Sequence, residues 1–356
     1  MVSVSDVATL KTSLNEYLDD FADCIKTIPS QRHLNTYVSG QIGPLERKTV
    51  EGIALEAREA PRTLQEFLGM HRWDEDALAA RVRQRVRDKH SDVSGVGIAD
   101  ETGCPKSGGG TVGVQSQYCG RTGKIDNCVV TVGLGYVQSG FYCLLDTDLF
   151  LPEHTWATDK ELREKAGVPD SVQYRPKWVI ACELVERSIA AGVKMGWVTA
   201  DELYGRCAGF RNRIASTGLK YVVEVPTSLF GWTVCPKVES AGTATETGRT
   251  LMSPRVSPGE QEARRVDDMW TSVGLTRTLY RVKDTTKGPQ VWEVCSTRFY
   301  ARENDLPGPE QLLIIAKNVV TGEVKYFLSS AVDETPLGTI LYVAFTRWYI
   351  EKTFKE

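Results

Sequence analysis

The sequence predicts a mixed α/β fold, a sheet flanked by helices, with helices before it and a β-rich stretch inside it. Three observations carry this. Apolar residues recur three or four apart over residues 1–92, the spacing of amphipathic helices. Short apolar strand-like runs then alternate with helical ones in the order strand, strand, strand, helix, strand, helix, strand. From 227 to 331, strand-like runs return without helices between them.

The elements follow in order. VATLKTSLNEYLDDFADCI and LERKTVEGIALEA have helical periodicity. WDEDALAARVRQRVRDKH opens acidic and closes basic, as the helix dipole favours. VSGVGIAD, TVGVQSQYC and NCVVTVGLGYV with GFYCLLDTDLFLP predict three successive strands, the last a hairpin pair. Pro176 suits a first helical turn, and KWVIACELVERSIAA stops at Gly192. GWVTAD predicts a short strand, GFRNRIAST a helix, and LKYVVEVP another strand. Beyond 227, SAGTATETGRTLMSPRVSPGE reads as a loop among the strands TRTLYRVKD, VWEVCSTRFYA, EQLLIIAKNV and EVKYFLSSA. Thr335-Pro336 caps a last helix, LGTILYVAFTRWYIEKTFKE. The chain ends inside that helix with no stop signal, which reads as a truncation.

Composition narrows the chemistry. The 356 residues are 41% hydrophobic and 25% charged, an ordinary globular balance, and no run approaches the roughly 18 apolar residues of a membrane span. The first residues lack the basic flank and apolar core of a signal peptide. Nine cysteines without a CxxC pair argue against a zinc knuckle and a secreted disulfide framework, and point to a reducing cytoplasm. Net charge is −3, so any nucleic-acid contact must come from local patches. Four scattered histidines make a histidine metal site or a Ser-His-Asp triad a poor expectation. Carboxylates are left to do any catalysis.

Two apolar strands each end in an acid, VGIAD at Asp100 and GWVTAD at Asp201, and Glu351 lies on the last helix. Acids often end strands as turn formers. Carboxylates without histidine or thiolate neighbours also suit a hard cation such as Mg²⁺ or Mn²⁺. Two such ions about 4 Å apart activate a water and steady the leaving oxygen of a phosphodiester.

The surrounding residues resemble a known family. DETGCPKSGGG is similar to the stretch around the first catalytic aspartate of bacterial insertion-sequence transposases with a DDE triad. VGVQSQYCGRTGKIDNC, LFLPEHTW with AGVP, GWVTADELYG, TRWYIEKTF and the N-terminal YVSGQIGPLERKTVEGIAL resemble the same family, in order along nearly the whole chain. The resemblance implies a ribonuclease-H-like mixed sheet, with a helical DNA-binding domain over 1–92 and the first part of the catalytic core over 93–226. It further implies a β-rich insertion over 227–331 and the final core helix over 332–356. It implies cut-and-paste transposition with Asp100, Asp201 and Glu351 as catalytic residues holding two Mg²⁺ ions, Mn²⁺ substituting. The partners would be double-stranded DNA at element ends and target, with a homodimer at synapsis, on the nucleoid in a prokaryotic cytoplasm. The family's glutamate helix commonly carries Tyr, Arg three residues on, Glu four further, and Lys two turns later. Arg347 and Glu351 fit, the Tyr position is Ala344, and the Lys position falls past Glu356.

Six residues are candidate DNA contacts. Arg347 precedes Glu351 by four, the weaker order for a helical ion pair, so a grip on the scissile phosphate is the better use of it. Lys106 supplies charge in a loop where Gly108 to Gly110 either admit a phosphate backbone or simply form a hairpin; no GK[ST] follows, so it is not a nucleotide P-loop. Tyr204-Gly205-Arg206 is either a turn or a strand-contacting patch, Tyr204 and Arg206 being the contacts. Arg83 and Arg87, in the arginine run at 81, 83, 85 and 87, mark either a solvated helix face or a phosphate-contacting one. Trp232, Trp270 and Trp292 read as core aromatics or as a stacking platform for a flipped base. Two rival functions stay open: a truncated, non-catalytic derivative that occupies element ends, and a ribonuclease-H-like nuclease without a role in transposition.

Overall fold

The computed structural model describes residues 4–71, 73–243, 250–270, 275–285, 288–332 and 334–355. It forms two compact units, Met1–Arg85 and Val86–Glu356.

The first unit is helical: α1 (Val4–Asp19), α2 (Ile28–Ile42), α3 (Val50–Glu56), α4 (Pro61–Gly69) and most of α5 (Glu75–Lys89). The Thr27 and Thr49 side chains cap α2 and α3 by accepting from the backbone N–H groups of Ser30 and Gly52, satisfying one orphan donor each. Ile53, Ala54, Leu64 and Phe67 form its buried centre, with Tyr37 and Trp73 packed against them. The arginine run is consumed internally. Arg81 pairs with Asp23 at 2.6 Å, and Arg85 pairs with Asp20 and lies 4.5 Å over the Tyr17 ring. Arg83 is buried. Asp20 and Asp23, just past α1, thus meet the charges of two of the four arginines of the run at 81, 83, 85 and 87.

The second unit is built on one large sheet. Its strands are β1 (Val96–Pro105), β2 (Gln115–Cys119), β3 (Lys124–Gln138), β4 (Phe141–Leu149), β5 (Trp197–Ala200), β6 (Lys220–Glu224) and β7 (Phe230–Trp232). A separate pair, β8 (Val238–Glu239) and β9 (Arg255–Val256), precedes β10 (Arg264–Arg265), β11 (Thr278–Thr285), β12 (Gly288–Glu303), β13 (Leu306–Asn318) and β14 (Val324–Ser329). Helices α6 (Lys160–Ala166), α7 (Lys177–Ala190), α8 (Glu202–Gly205) and α9 (Ala208–Ser216) fall between β4 and β6; α10 (Leu337–Thr346) and α11 (Trp348–Lys355) follow β14.

At the centre β4, β3, β1, β5 and β6 lie side by side; β1 is antiparallel to β3 and parallel to β5, which is parallel to β6. Three antiparallel strands followed by two parallel ones is the ribonuclease-H-like arrangement the resemblance implied. Both faces are covered, as a sheet with parallel strands requires. Ile180, Leu184, Phe210 and Ile214 of α7 and α9 pack on one face, and Ile340, Val343 and Ile350 of α10 and α11 on the other.

Two expectations need correction. First, β1 does not stop at Asp100; it pairs with β3 from Val96↔Val137 through Pro105↔Cys128. Only its pairing with β5 ends there, at Ala99↔Ala200. The β-rich stretch joins the same sheet. β14 adds antiparallel to β6, and β13, β12, β7 and β10 extend the same sheet outward. Second, the last helix is interrupted at Arg347. The Thr346 hydroxyl donates to the Tyr342 carbonyl at 2.6 Å, a back-bond that bends helices. Part of the Ser/Gly/Thr-rich loop, 244–249, lies outside the described residues.

Candidate active site

Register brings the two aspartates together. Because Ala99 and Ala200 are partners on parallel neighbours, Asp100 and Asp201 are the next residue along each chain, one on a strand that continues and one opening α8. Strand alternation then sorts the β1 side chains. Asp100 shares the parity of Val96 and Ile98, which belong to the core under α10 and α11, whereas Glu101 faces α7 and α8.

Glu351 arrives through the packing of α11. Asp100 pairs with Gly133 of β3, and a Cβ on Gly133 would come within 3.0 Å of the Phe354 ring. Gly135, two residues on, faces Ile350. The glycines of VGLGY therefore give α11 a flat seat. With Ile350 and Phe354 seated on β3, Arg347 and Glu351, also four apart, reach toward β1.

Asp100, Asp201, Glu351 and Arg347 line one cavity of about 890 Å³. Arg347 Nη1 donates to Asp100 Oδ2 at 2.9 Å, and its Nη2 lies 3.1 Å from Glu351 Oε1. Asp201 Oδ1 accepts the Leu203 N–H at 2.9 Å, so this acid does serve as a helix cap as well. Burial, with the like charge of Asp201 added, pushes Asp100 up to about 7 despite the pull of Arg347. Asp201 is also raised, by burial first and then by the charge of Glu101. Burial opposes the charge on Arg347, yet Asp100 and Glu351 more than offset it and hold the guanidinium above its usual range. Two neighbouring carboxylates that both resist ionisation are poised to welcome a cation. Among the described residues, however, no three acids, histidines or cysteines are close enough to share one ion, and the guanidinium contacts both Asp100 and Glu351.

The other expected contacts are scattered. Tyr204 is fully buried; its hydroxyl donates to Glu101 Oε2 at 2.7 Å, so it offers no surface for DNA. Burial, and next the Glu101 charge, push the phenol well above its usual range. Arg206 is exposed and Lys106 half-buried, but neither belongs to the cavity wall. Asn127 Nδ2 donates to the carbonyls of Lys106 and Gly108, pinning the start of that loop. Arg87 is exposed and paired with Asp88 at 2.7 Å. Trp232 and Trp292 are buried, and the Arg277 guanidinium sits 4.5 Å over Trp270. Glu101 itself was missed by sequence reasoning. It lines the cavity, accepts from Lys177 Nζ at 2.9 Å and couples to Asp201. Its adjacency to Asp100 in ADETG was the only signal.

Comparison with known proteins points to the family that the sequence resembles. A curated relative from Microchaete diplosiphon, described as a probable transposase for insertion sequence element IS701, is 28% identical over 216 residues, covering 59% of this chain and 54% of that protein. The chain thus spans about half the length of that relative. A family model described as DDE superfamily endonuclease matches residues 20–289, well over half of the sequence, and the chain belongs to that family.

Proposed function

We propose that the chain is a transposase that cuts DNA at the ends of a mobile element and joins the freed ends to target DNA. The observation that carries this reading is the meeting of Asp100, Asp201, Glu351 and Arg347 at one cavity from three distant parts of the chain. The relative named for a transposase supports the same reading.

DDE endonucleases use divalent metal ions. An all-oxygen carboxylate set fits a hard cation, so Asp100, Asp201 and Glu351 would hold Mg²⁺ or Mn²⁺, two ions in this reading; bound there, they would supply charge for water activation and leaving-group stabilisation. The chain's own residues do the rest. The fixed β1–β5 register orients the two aspartates, and α11 brings the third acid. Arg347, able to give two parallel N–H donors, exchanges its carboxylate partners for the non-bridging oxygens of the scissile phosphate. Water oxygen forms the new bond to phosphorus while the 3′-oxygen leaves and takes a proton. In the second step that 3′-hydroxyl attacks a target phosphodiester, and the target's own 3′-oxygen leaves. Pairing two element ends requires at least a homodimer on DNA, and the substrate places its work on the nucleoid. Among the described residues no helix is long and apolar enough to cross a membrane.

The rival of an end-occupying binder draws on one observation, that no three acids share an ion position as placed. A plasmid carrying the element's ends, incubated with the protein in Mn²⁺, separates the two. The transposase cuts at the ends, and Asp100→Asn or Asp201→Asn lowers cutting by about three orders of magnitude, several kcal/mol of lost stabilisation, while DNA binding persists. Binding without cutting by the wild type would establish the binder instead.

A further inference from the structure

We infer that the β2–β3 hairpin forms a DNA-strand subsite of the same cavity, with Tyr118 stacking on a base beside the scissile phosphate and Arg121 holding the neighbouring backbone phosphate. This rests on the endonuclease reading and extends it to residues outside the acid triad. Tyr118, Gly120 and Arg121 line the cavity that holds Asp100 and Glu351, so a strand positioned for cleavage passes them.

Their chemistry suits a nucleotide. Tyr118 is 65% exposed and stands opposite Ile125, itself 70% exposed, on the paired strand. An exposed aromatic beside an exposed aliphatic makes an apolar platform that water solvates poorly, and every base has a face to offer it. Arg121 and Lys124 are exposed on the same hairpin, and no acid pairs with either among the described residues. That contrasts with the arginines of α5, whose charges are met by Asp20, Asp23 and Asp88. Lys355 of α11 lines the same cavity and adds a third cation. Unpaired cations around an aromatic platform complement a polyanion with exposed bases.

The hairpin is also held firmly enough to position a substrate. The turn is closed by Thr122 N and Gly123 N donating to the Cys119 carbonyl at 3.1 and 2.9 Å, with Gly123 at φ 67°. Cys119 is fully buried, and a Cβ at Gly103 of β1 would come within 2.7 Å of its Sγ, so the hairpin base is packed directly on the strand that carries Asp100. Tyr118 therefore moves with the catalytic strand rather than with solvent.

The test uses the full chain and a DNA duplex with a 3′ single-stranded overhang carrying 2-aminopurine, titrated by anisotropy and by base fluorescence across salt concentrations. Tyr118→Ala should weaken binding on the order of tenfold and relieve the quenching of 2-aminopurine, while Tyr118→Phe preserves both. Arg121→Ala should reduce the log–log salt slope by about one. Because both side chains are exposed, melting temperatures should stay at the wild-type value, which separates a lost contact from a lost fold. Wild-type affinity and quenching in Tyr118→Ala, with salt-dependent binding intact, would overturn the hairpin subsite and leave the endonuclease reading standing. Absence of any binding by the wild type would remove both.

Discussion

Arg347 stands between two acids, donating to Asp100 Oδ2 at 2.9 Å and lying 3.1 Å from Glu351 Oε1. A guanidinium in that position puts one positive charge between the two carboxylates. It offsets part of the repulsion between two acids that line the same cavity.

Arg347→Ala should therefore have opposite effects on stability and on ion binding. Without metal, Asp100 loses its partner in a buried setting, and stability at pH 8 should fall by about 2–3 kcal/mol. Mn²⁺ affinity, read by isothermal titration calorimetry, should rise severalfold, because a competing positive charge has gone. Weaker Mn²⁺ binding by a variant that is still folded would show that the arginine organises the ions rather than competing with them.

The pH dependence follows from Asp100. Its folded pKa, about 7, lies above the ordinary carboxyl value of about 3.9. Below about pH 4 both folded and unfolded states hold the proton, and the group contributes nothing. Between about 4 and 7 the unfolded chain ionises first, so stability of the metal-free protein declines as pH rises, and it levels off above 7. Melts from pH 5 to 8 in EDTA should show this decline in the wild type and a flatter curve in Asp100→Asn. Mn²⁺ binding requires the ionised acids, so it should tighten from pH 6 to 8 and release protons, seen as a buffer-dependent binding enthalpy. A binding enthalpy independent of buffer would contradict a raised Asp100.

Tyr204 separates a supporting role from a surface one. Among the described residues, its hydroxyl and Lys177 Nζ are the two side-chain groups that hold the Glu101 carboxylate. Tyr204→Phe should cost about 1–2 kcal/mol in a denaturant melt and leave DNA affinity unchanged. A large loss of DNA affinity with stability intact would restore Tyr204 as a substrate contact.

These residues also show what a sequence can and cannot disclose. The apolar runs that meet acids at Asp100 and Asp201 were visible, and the parallel register of Ala99 with Ala200 converts that pattern into proximity. The seat for Glu351 was written in the alternating glycines of VGLGY, whose meaning depends on a helix more than 200 residues away. Ion pairing was invisible. The arginines of α5 look like a cationic surface until Asp20 and Asp23, some sixty residues earlier, fold onto them. Likewise Tyr204 reads as a turn residue, and only the tertiary fold buries its ring under Glu101. The β-rich stretch has clear strands, but periodicity alone does not tell an added domain from a sheet that keeps growing at its β6 edge.

Two glycines offer a last contrast, because only one is required by packing. A Cβ at Gly205 would run into the Glu224 carbonyl oxygen of β6 and approach Val223 Cβ at 3.2 Å. Neither backbone can retreat, since β6 is paired on both sides, with β5 and with β14. Gly205→Ala should thus push α8 off the sheet, costing about 2–3 kcal/mol and displacing Asp201 at the start of that helix. At Gly108 an added Cβ meets nothing within 4 Å, and the residue has no positive φ, so the fold has no use for a glycine there. Gly108→Ala should leave the melting temperature unchanged. If the loop admits a phosphate backbone, bulkier Gly108→Val should still melt like the wild type while binding duplex DNA more weakly. Equal DNA affinity in Gly108→Val would reduce the triple glycine to a plain connector, and a fall in its melting temperature would show packing at the loop that the geometry does not contain.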